Sequence, residues 1–413
     1  MTKIYTSIKK CRISSDTKLK KVINFGSIKL TGVFPRKKNK KIKSTPLKLV
    51  FSEKSKLLQL KHNYNHKYLF GSQYGYRSGL NKSMVKHLKT KYFYLKKKKK
   101  LKKNDYVLDI GSNDGTFLNF FHKNIKKYGC DPTAKKFKKY YSKDVKIIPK
   151  IFNNNIANSM NKKFKLITAI AMFYDLEDPI IFCKNIEKIL DKNGIFHVEV
   201  AYLPDIISEL SFDTFCQEHL TYFSLHSFKY LIQNTRLKII DYHRNSINGG
   251  SINFDIVHKD SKLKKNHKKL EKLEISEKKI RIHKYKTYID FAKKLTKLKN
   301  QITMKLKKIK NKKIYGFGAS TKGNVILQFC KINSKIMNGI YDINHDKFNC
   351  YTPGTNILIK NEKYIVKDKP DYIIFLIWHF KKTILEKFSK LDLPNTKYVW
   401  FFPKLIFKKK IFN

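Results

Sequence analysis

The sequence predicts an α/β chain: a central doubly wound sheet, a small N-terminal module before it and a Rossmann-like unit at the C-terminal end. Three observations carry that prediction. From Asp105 onward the apolar runs DYVLDI, KKYGCD, KLITAIAM and GIFHVEVAY alternate with polar or helix-patterned stretches, as buried parallel strands and their crossovers do. The first of these runs empties into a glycine turn, VLDIGSNDGTF (107 to 117). A second strand and glycine turn, KKIYGFGASTKGN, opens another such series late in the chain, followed by MNGIYDIN, PDYIIFLIWHF and TKYVWFF.

A chain of 413 residues exceeds one ordinary core, and 41% hydrophobic with 14% aromatic residues is enough to fill several. Residues 1–95 read as the N-terminal module, with short apolar runs such as LKLVF and LLQL among turn formers and then KSMVKHLKTKYFYL at helical spacing. Residues 96–245 read as the central sheet domain. It is entered through the lysine run at 96 to 100, expected as a solvated connection, and FLNFFHKNI is expected as the first crossover helix. Residues 246–413 form the C-terminal part. Within it, 259–312 carries Phe291, Leu295, Leu298, Ile302 and Leu306 at helical spacing, which predicts one or two amphipathic helices, and 313–413 holds the second α/β series.

The formal charge of +59 raises nucleic acid or an anionic membrane as partners. Both are set aside. Arginine, the residue that grips bases and phosphates bidentately, occurs only at 12, 36, 77, 236, 244 and 281, and the lysines are spread along the chain with Asn and Ile, all A/T-rich in codon usage. No apolar run approaches the roughly 20 residues of a membrane span, and the start MTKIYTSIKKC has no apolar signal core. The cysteines at 11, 130, 183, 216, 330 and 350 have no disulfide-framework spacing, which points to a reducing, cytoplasmic setting.

In the first glycine turn Asp109, Gly111 and Gly115 fall in the order D-x-G-x-x-x-G, and Asp131, 22 residues after Asp109, ends the second strand in position to accept from a ribose diol. The dinucleotide pattern G-x-G-x-x-G is absent. The turn resembles that of class I S-adenosylmethionine methyltransferases. The resemblance implies cofactor contacts at Asp109, Gly111, Ser112, Asn113, Asp114, Gly115 and Asp131, and at Met172 and Phe173 after the fourth strand. The bland alternative is an α/β domain whose first turn simply needs glycine. Where amino methyltransferases of bases carry [ND]-P-P-[YF], this chain reads AMFYDLEDP (171 to 179), so that chemistry loses support.

LTGVFP, YGYRSGLN, VLDIGSNDGT, AMFYDLEDP, QEHLTYFSL, NGG, YGFGASTKGN, YTPGT and WHF follow one another along nearly the whole length. In that order they resemble the sugar C-methyltransferases that act on nucleotide-linked 4-keto-6-deoxyhexoses. Those enzymes join an N-terminal, often zinc-binding module, a methyltransferase domain and a C-terminal Rossmann-like domain. The resemblance implies S-adenosylmethionine as cofactor and a nucleotide sugar as partner. Methylating carbon next to a ketone requires a base to remove a proton and a donor facing the enolate oxygen. Histidine suits the first role, and the family assigns it to the His of a Glu-His pair, here His219 beside Glu218. Tyr222 is expected to line the pocket, with Tyr76 or Tyr222 supplying a hydroxyl. Some relatives have Tyr-His before Glu-His, whereas Cys216 and Gln217 stand here, so roles at those two positions do not carry over. A Glu-His pair on a solvated loop is the plain alternative.

Gly318, Ser320, Thr321 and Lys322 of the second turn suit a diphosphate at a helix start, or form a turn that only needs to be tight. Tyr74 and Ser78, with Tyr76 and Arg77 between them, are expected to face the site. Asn248 and Gly249 of NGG admit substrate closely or make a hairpin; His379 touches substrate or caps a strand end. The family's two C-x-x-C pairs survive here only as Cys11 with Ser14, and Ser52 with Ser55. Structural zinc needs four Cys or His ligands, so zinc is not expected. Two other functional readings remain open from sequence: O- or N-methylation of a sugar or other small molecule, and a silent nucleotide-sugar-binding protein.

Overall fold

The computed structural model describes residues 3–70 and 76–411. Seven strands form the central sheet: β1 (Tyr106–Ile110), β2 (Lys126–Cys130), β3 (Val145–Ile148), β4 (Phe164–Ile170), β5 (Leu190–Ala201), β6 (Leu237–Asn245) and β7 (Ser251–His258). Their spatial order is β3-β2-β1-β4-β5-β7-β6; the first five are parallel and β7 runs antiparallel to β5 and β6. This is the class I methyltransferase sheet. Strands buried on both faces need continuous apolar runs, and β1, β4 and β5 have them. The strand order reverses between β1 and β4, so a crevice opens beyond their carboxyl ends, where Gly111 and Met172 lie.

Helix α1 (Lys82–Lys98), capped by the Asn81 side chain, covers one face. It contributes lysines to buried ion pairs: Lys91 with Glu199, and Lys98 with Asp241 and Asp255. The lysine run is therefore not simply a solvated connection; Lys98 is drawn inward because carboxylates of β6 and β7 lie under it. Asp241, His243 and Asp255 cluster within 4.8 Å of one another, but Lys98 and Lys269 already neutralise the carboxylates. With that face covered by α1, FLNFFHKNI is not a helix. Only Leu118–Phe120 makes a single 3₁₀ turn, and Asn119 ties the segment sideways to Tyr140 and Ser142.

The expected boundary at residue 245 falls inside this sheet, since β7 pairs with β5 and β6. Helix α2 (His267–Lys279) also buries Leu270 and Leu273 in the central core. The second helix of the lysine-rich stretch, α3 (Tyr285–Lys308), buries all five of its predicted apolar positions against the N-terminal module and C-terminal unit. Beyond it, β8 (Ile314–Phe317), β9 (Gly339–Asp342), β10 (Ile359–Asn361), β11 (Tyr372–Phe375), β12 (Lys397–Trp400) and β13 (Ile406–Lys408) form a sheet of order β10-β9-β8-β11-β12-β13, parallel except for β13. Its reversal, between β8 and β11, again faces a glycine turn. Among the described residues no helix is long and apolar enough to cross a membrane.

The N-terminal module is an antiparallel sheet of Leu19–Lys29, Ser44–Ser52 and Leu58–Leu60, completed by a fourth strand from far along the chain, Thr221–Tyr222. The segment carrying Glu218 and His219 is thereby stitched into this module. The Leu60 amide donates to the Leu220 carbonyl at 2.9 Å, and Thr31 Oγ1 donates to Gln217 Oε1 at 2.9 Å.

Candidate active site

A cleft opens at the β1/β4 reversal. Of the residues expected to hold cofactor, Asp109, Gly111, Ser112, Asn113, Asp114, Asp131 and Met172 line it, as do Tyr76 and Ser78 from the segment that crosses above. Gly111 (φ +77°) needs its glycine twice over: its backbone is left-handed, and a Cβ there would stand 2.7 Å from the Met172 side chain. Asp131 is held by the Asn113 amide at 3.0 Å and the Thr133 amide at 2.6 Å. Asn113 and Asp114 in turn receive the Ser78 and Gly79 amides, each at 2.9 Å, so the 76–79 segment is fastened over the glycine turn. Burial pushes the Asp109 carboxyl up to about 7 against a 2.6 Å hydrogen bond from Thr168 that favours the ionised form, and nearby Asp131 adds to the rise.

Three expected residues stand apart from the cleft. Gly115 packs on the Tyr141 ring, and Phe173 is fully buried among Phe182, Phe223 and Phe228. Tyr222 lies in the core beside Phe215, its hydroxyl donating to the His219 carbonyl at 2.8 Å, so it shapes the loop and does not line the pocket. Tyr74 lies outside the described residues.

The remaining predicted residues converge at the junction of the central and C-terminal sheets. Lys322, in the first turn of α4 (Thr321–Phe329), reaches across to the Asn248 carbonyl at 2.6 Å. Its charge is felt by His219, His379 and Asp213. Gly249 packs under Trp378 and His379, and Trp378 Nε1 donates to the fully buried Asp213 at 2.9 Å. Gly318 (φ +89°) lets the turn pass Ile377. Ser320 caps α4 by accepting the Gly323 amide at 2.9 Å. A Cβ on Gly32 would stand 2.7 Å from Glu218 Oε1 and 3.8 Å from Thr321 Oγ1, so these two groups face the same point.

His219 Nδ1 lies 2.9 Å from the Thr214 carbonyl, an acceptor only. The proton is therefore on Nδ1, and Nε2 is left as a base. Burial and the Lys322 charge hold its conjugate acid down at about 3. Glu218 moves the other way, its carboxyl raised by burial. The Tyr174 ring meets the His219 imidazole edge-on at 4.4 Å, and the Tyr174 carbonyl receives the Leu220 amide at 2.7 Å. The turn after β4 and the Glu-His segment are thus joined, and Asp175 of that turn lines the cleft at the glycine turn.

Sequence reasoning did not single out Asp175, Asp213 or Trp378, although each lies inside a stretch already marked: AMFYDLEDP, FDTFCQEHLTYFS and WHF. What distinguishes the two acids is an enclosed carboxyl oxygen without a partner. Asp175 Oδ1, Asp213 Oδ1, Glu218 Oε2 and His379 Nδ1 are enclosed yet find no hydrogen bond among the described residues.

Cys11, Ser14, Ser52 and Ser55 do come together, but bonded to one another: Cys11 Sγ and Ser55 Oγ at 3.3 Å, Ser14 Oγ and Ser52 Oγ at 3.3 Å, and Ser52 donating to Asp16 at 3.1 Å. One thiol and three neutral hydroxyls do not fit a structural zinc. Arg12, buried beside Cys11 in the chain, donates to the carbonyls of Leu60 and His62 and ties its segment to them.

Comparison with known proteins matches the same three parts. Residues 11–70 match a family described as "Putative zinc binding domain", residues 84–242 a "Methyltransferase domain", and residues 246–403 a "C-methyltransferase C-terminal domain". The chain is 26% identical over 394 residues to the C-methyltransferase NovU of Streptomyces niveus, covering 94% of this chain and 93% of that one. Solved structures similar to it include an S-adenosylmethionine-dependent methyltransferase of Clostridium acetobutylicum ATCC 824 (16% identity, TM-score 0.34, 42% of this chain and 92% of that one). Another is the magnesium protoporphyrin IX methyltransferase ChlM of Synechocystis PCC 6803 with bound SAM (10% identity, TM-score 0.33, 42% and 79%). With its module, its seven-stranded sheet and its C-terminal unit each matched in order, the chain is similar to C-methyltransferases along its length and is an S-adenosylmethionine-dependent methyltransferase.

Proposed function

We propose that the protein methylates a ring carbon of a nucleotide-linked 4-keto-6-deoxyhexose, after His219 removes the proton beside the ketone. The observation that carries this reading is the state of His219: a neutral imidazole, fixed by Thr214 with Nε2 as acceptor, on a segment joined to the wall of the cofactor cleft. Bound S-adenosylmethionine supplies an electrophilic methyl group on a sulfonium. The chain's own residues do the rest. Asp131, held by the Asn113 and Thr133 amides, would accept from the ribose diol, and the segment 76–79 is fastened over the turn. Lys322 and the start of α4 suit the substrate diphosphate, whose negative charge would offset the Lys322 field and make His219 a stronger base. Glu218, whose Oε1 faces the same point as Thr321 Oγ1, would orient a sugar hydroxyl.

The same reading takes the substrate to be a small molecule rather than nucleic acid, and a reducing compartment such as the cytoplasm as the setting. All six cysteines are buried and unpaired, in keeping with it. It also holds that the N-terminal module carries no zinc and relies on the Cys11, Ser14, Ser52, Ser55 and Arg12 hydrogen bonds; one equivalent of metal on the purified chain would overturn that part.

The test is mass spectrometry after incubation with methyl-labelled cofactor and a panel of 4-keto-6-deoxy sugar nucleotides. One labelled methyl should be gained, should survive acid hydrolysis of the nucleotide link on the sugar, and should vanish with His219→Ala. Cofactor binding with no transfer to any keto-sugar would reject the reading.

A further inference from the structure

Deprotonation beside a ketone leaves negative charge on the carbonyl oxygen, and the site described so far names a base without naming the group that meets this charge. Where some relatives of the family carry a tyrosine, Cys216 stands here, buried and without a hydroxyl. Tyr222 is committed to the His219 carbonyl. Lys322 is turned toward Asn248.

Asp175 is a polar side chain that both lines the cleft and belongs to the turn packed on His219. It lines the cofactor cleft together with Met172 and Gly111. Its Oδ1 is enclosed and has no hydrogen-bond partner among the described residues. It follows directly on Tyr174, whose ring packs on His219 at 4.4 Å and whose carbonyl anchors Leu220. Resting on the enolisation reading above, we infer that the Asp175 carboxyl donates the hydrogen bond that stabilises the enolate oxygen while His219 Nε2 takes the carbon-bound proton.

The neutral form is what this environment favours: burial and the adjacent Glu218 both raise the Asp175 carboxyl well above its ordinary range. A buried carboxyl kept protonated makes a strong donor to a developing oxyanion. The step balances. The C–H bond beside the ketone breaks, its proton passes to Nε2, and its electron pair forms the C=C bond. The C=O π pair then moves onto oxygen. The Asp175 proton stays on Asp175 and is shared with that oxygen, and returning the proton from His219 restores the ketone.

Solvent deuterium exchange at the carbon beside the ketone, followed by NMR with S-adenosylhomocysteine in place of the methyl donor, reads this step without methyl transfer. The wild type should exchange and His219→Gln should not. Asp175→Ala should slow exchange by about 10²- to 10³-fold, the range for removing an oxyanion donor, and Asp175→Asn, whose amide can still donate, should lose less. Wild-type rates in Asp175→Ala, with exchange abolished in His219→Gln, would overturn the Asp175 assignment and leave the function standing. A wild type that methylates a keto-sugar but never exchanges would overturn the base-first reading instead. Infrared difference spectra of wild type against Asp175→Asn at neutral pH then judge Asp175 separately. A protonated carboxyl band assigned to Asp175 supports the assignment; a carboxylate band overturns it.

Discussion

The glycine-turn cleft and the sheet junction are both built from buried polar residues, but they treat those residues differently. Around the glycine turn nearly every polar group has a partner in the chain itself: Asp131 takes the Asn113 and Thr133 amides, Asn113 and Asp114 take the Ser78 and Gly79 amides, and Asp109 takes the Thr168 hydroxyl. At the junction Asp213, Glu218 and His379 each keep an enclosed atom without one, as does Asp175 on the side of the cleft that faces it. Leaving such an atom unpaired costs about 1 to 3 kcal/mol. On the proposed reading, bound substrate would supply the partners that these atoms lack.

This contrast can be broken most severely at His219. His219→Gln should lower turnover by about 10³-fold while S-adenosylhomocysteine binding, measured by calorimetry, stays as in wild type. A matching loss of cofactor affinity would mean that the two regions are not separate. Lys322→Met should come next, raising KM for the nucleotide sugar by roughly tenfold to a hundredfold through loss of a charge-assisted contact, again with cofactor affinity unchanged. Comparing the sugar nucleotide with the free sugar in inhibition assays checks that Lys322 reads the diphosphate.

Gly111→Ala sharpens the comparison from the other side. The left-handed backbone and the 2.7 Å approach to Met172 should cost about 1 to 2 kcal/mol of stability, seen as a lower Tm, together with weaker cofactor binding. A separate effect is on pH dependence. His219 is held down at about 3 in the folded chain against an unperturbed value of about 6.5, so the unfolded chain takes a proton that the folded chain refuses. Its contribution to stability is present above about pH 6.5 and is lost as pH falls toward 3. Urea unfolding of His219→Gln should therefore show a shallower decline over that window than the wild type.

Much of this architecture is legible in the sequence because burial on both faces of a parallel sheet forces apolar runs, as in β1, β4 and β5, and because a left-handed turn at Gly111 requires glycine. The helical period of α3 was equally plain, all five of its marked apolar positions being buried. What the pattern could not give depends on distant partners. FLNFFHKNI has helical composition, but α1 already covers that face, and Asn119 is pulled toward Tyr140. Lys98 looks like one more solvated lysine until β6 and β7 place two carboxylates beneath it. In the site, the glycine turn and Glu-His pair stand out as residue types at fixed spacing. Asp175 and Asp213 stand out only once the chain is folded and their partners are counted. Tyr222 shows the reverse: the phenol in a polar pentad proves to be a core residue because its strand pairs with Leu58 and Gln59 of the N-terminal module.

The central claim is that carbon, made nucleophilic by His219, receives the methyl group. The most direct measurement is NMR of the product made with ¹³C-methyl cofactor and a 4-keto-6-deoxy sugar nucleotide. One-bond carbon–carbon coupling between the new methyl and the ring carbon beside the ketone, absent with His219→Gln, is the predicted result. A methyl carbon bonded to oxygen or nitrogen would contradict it.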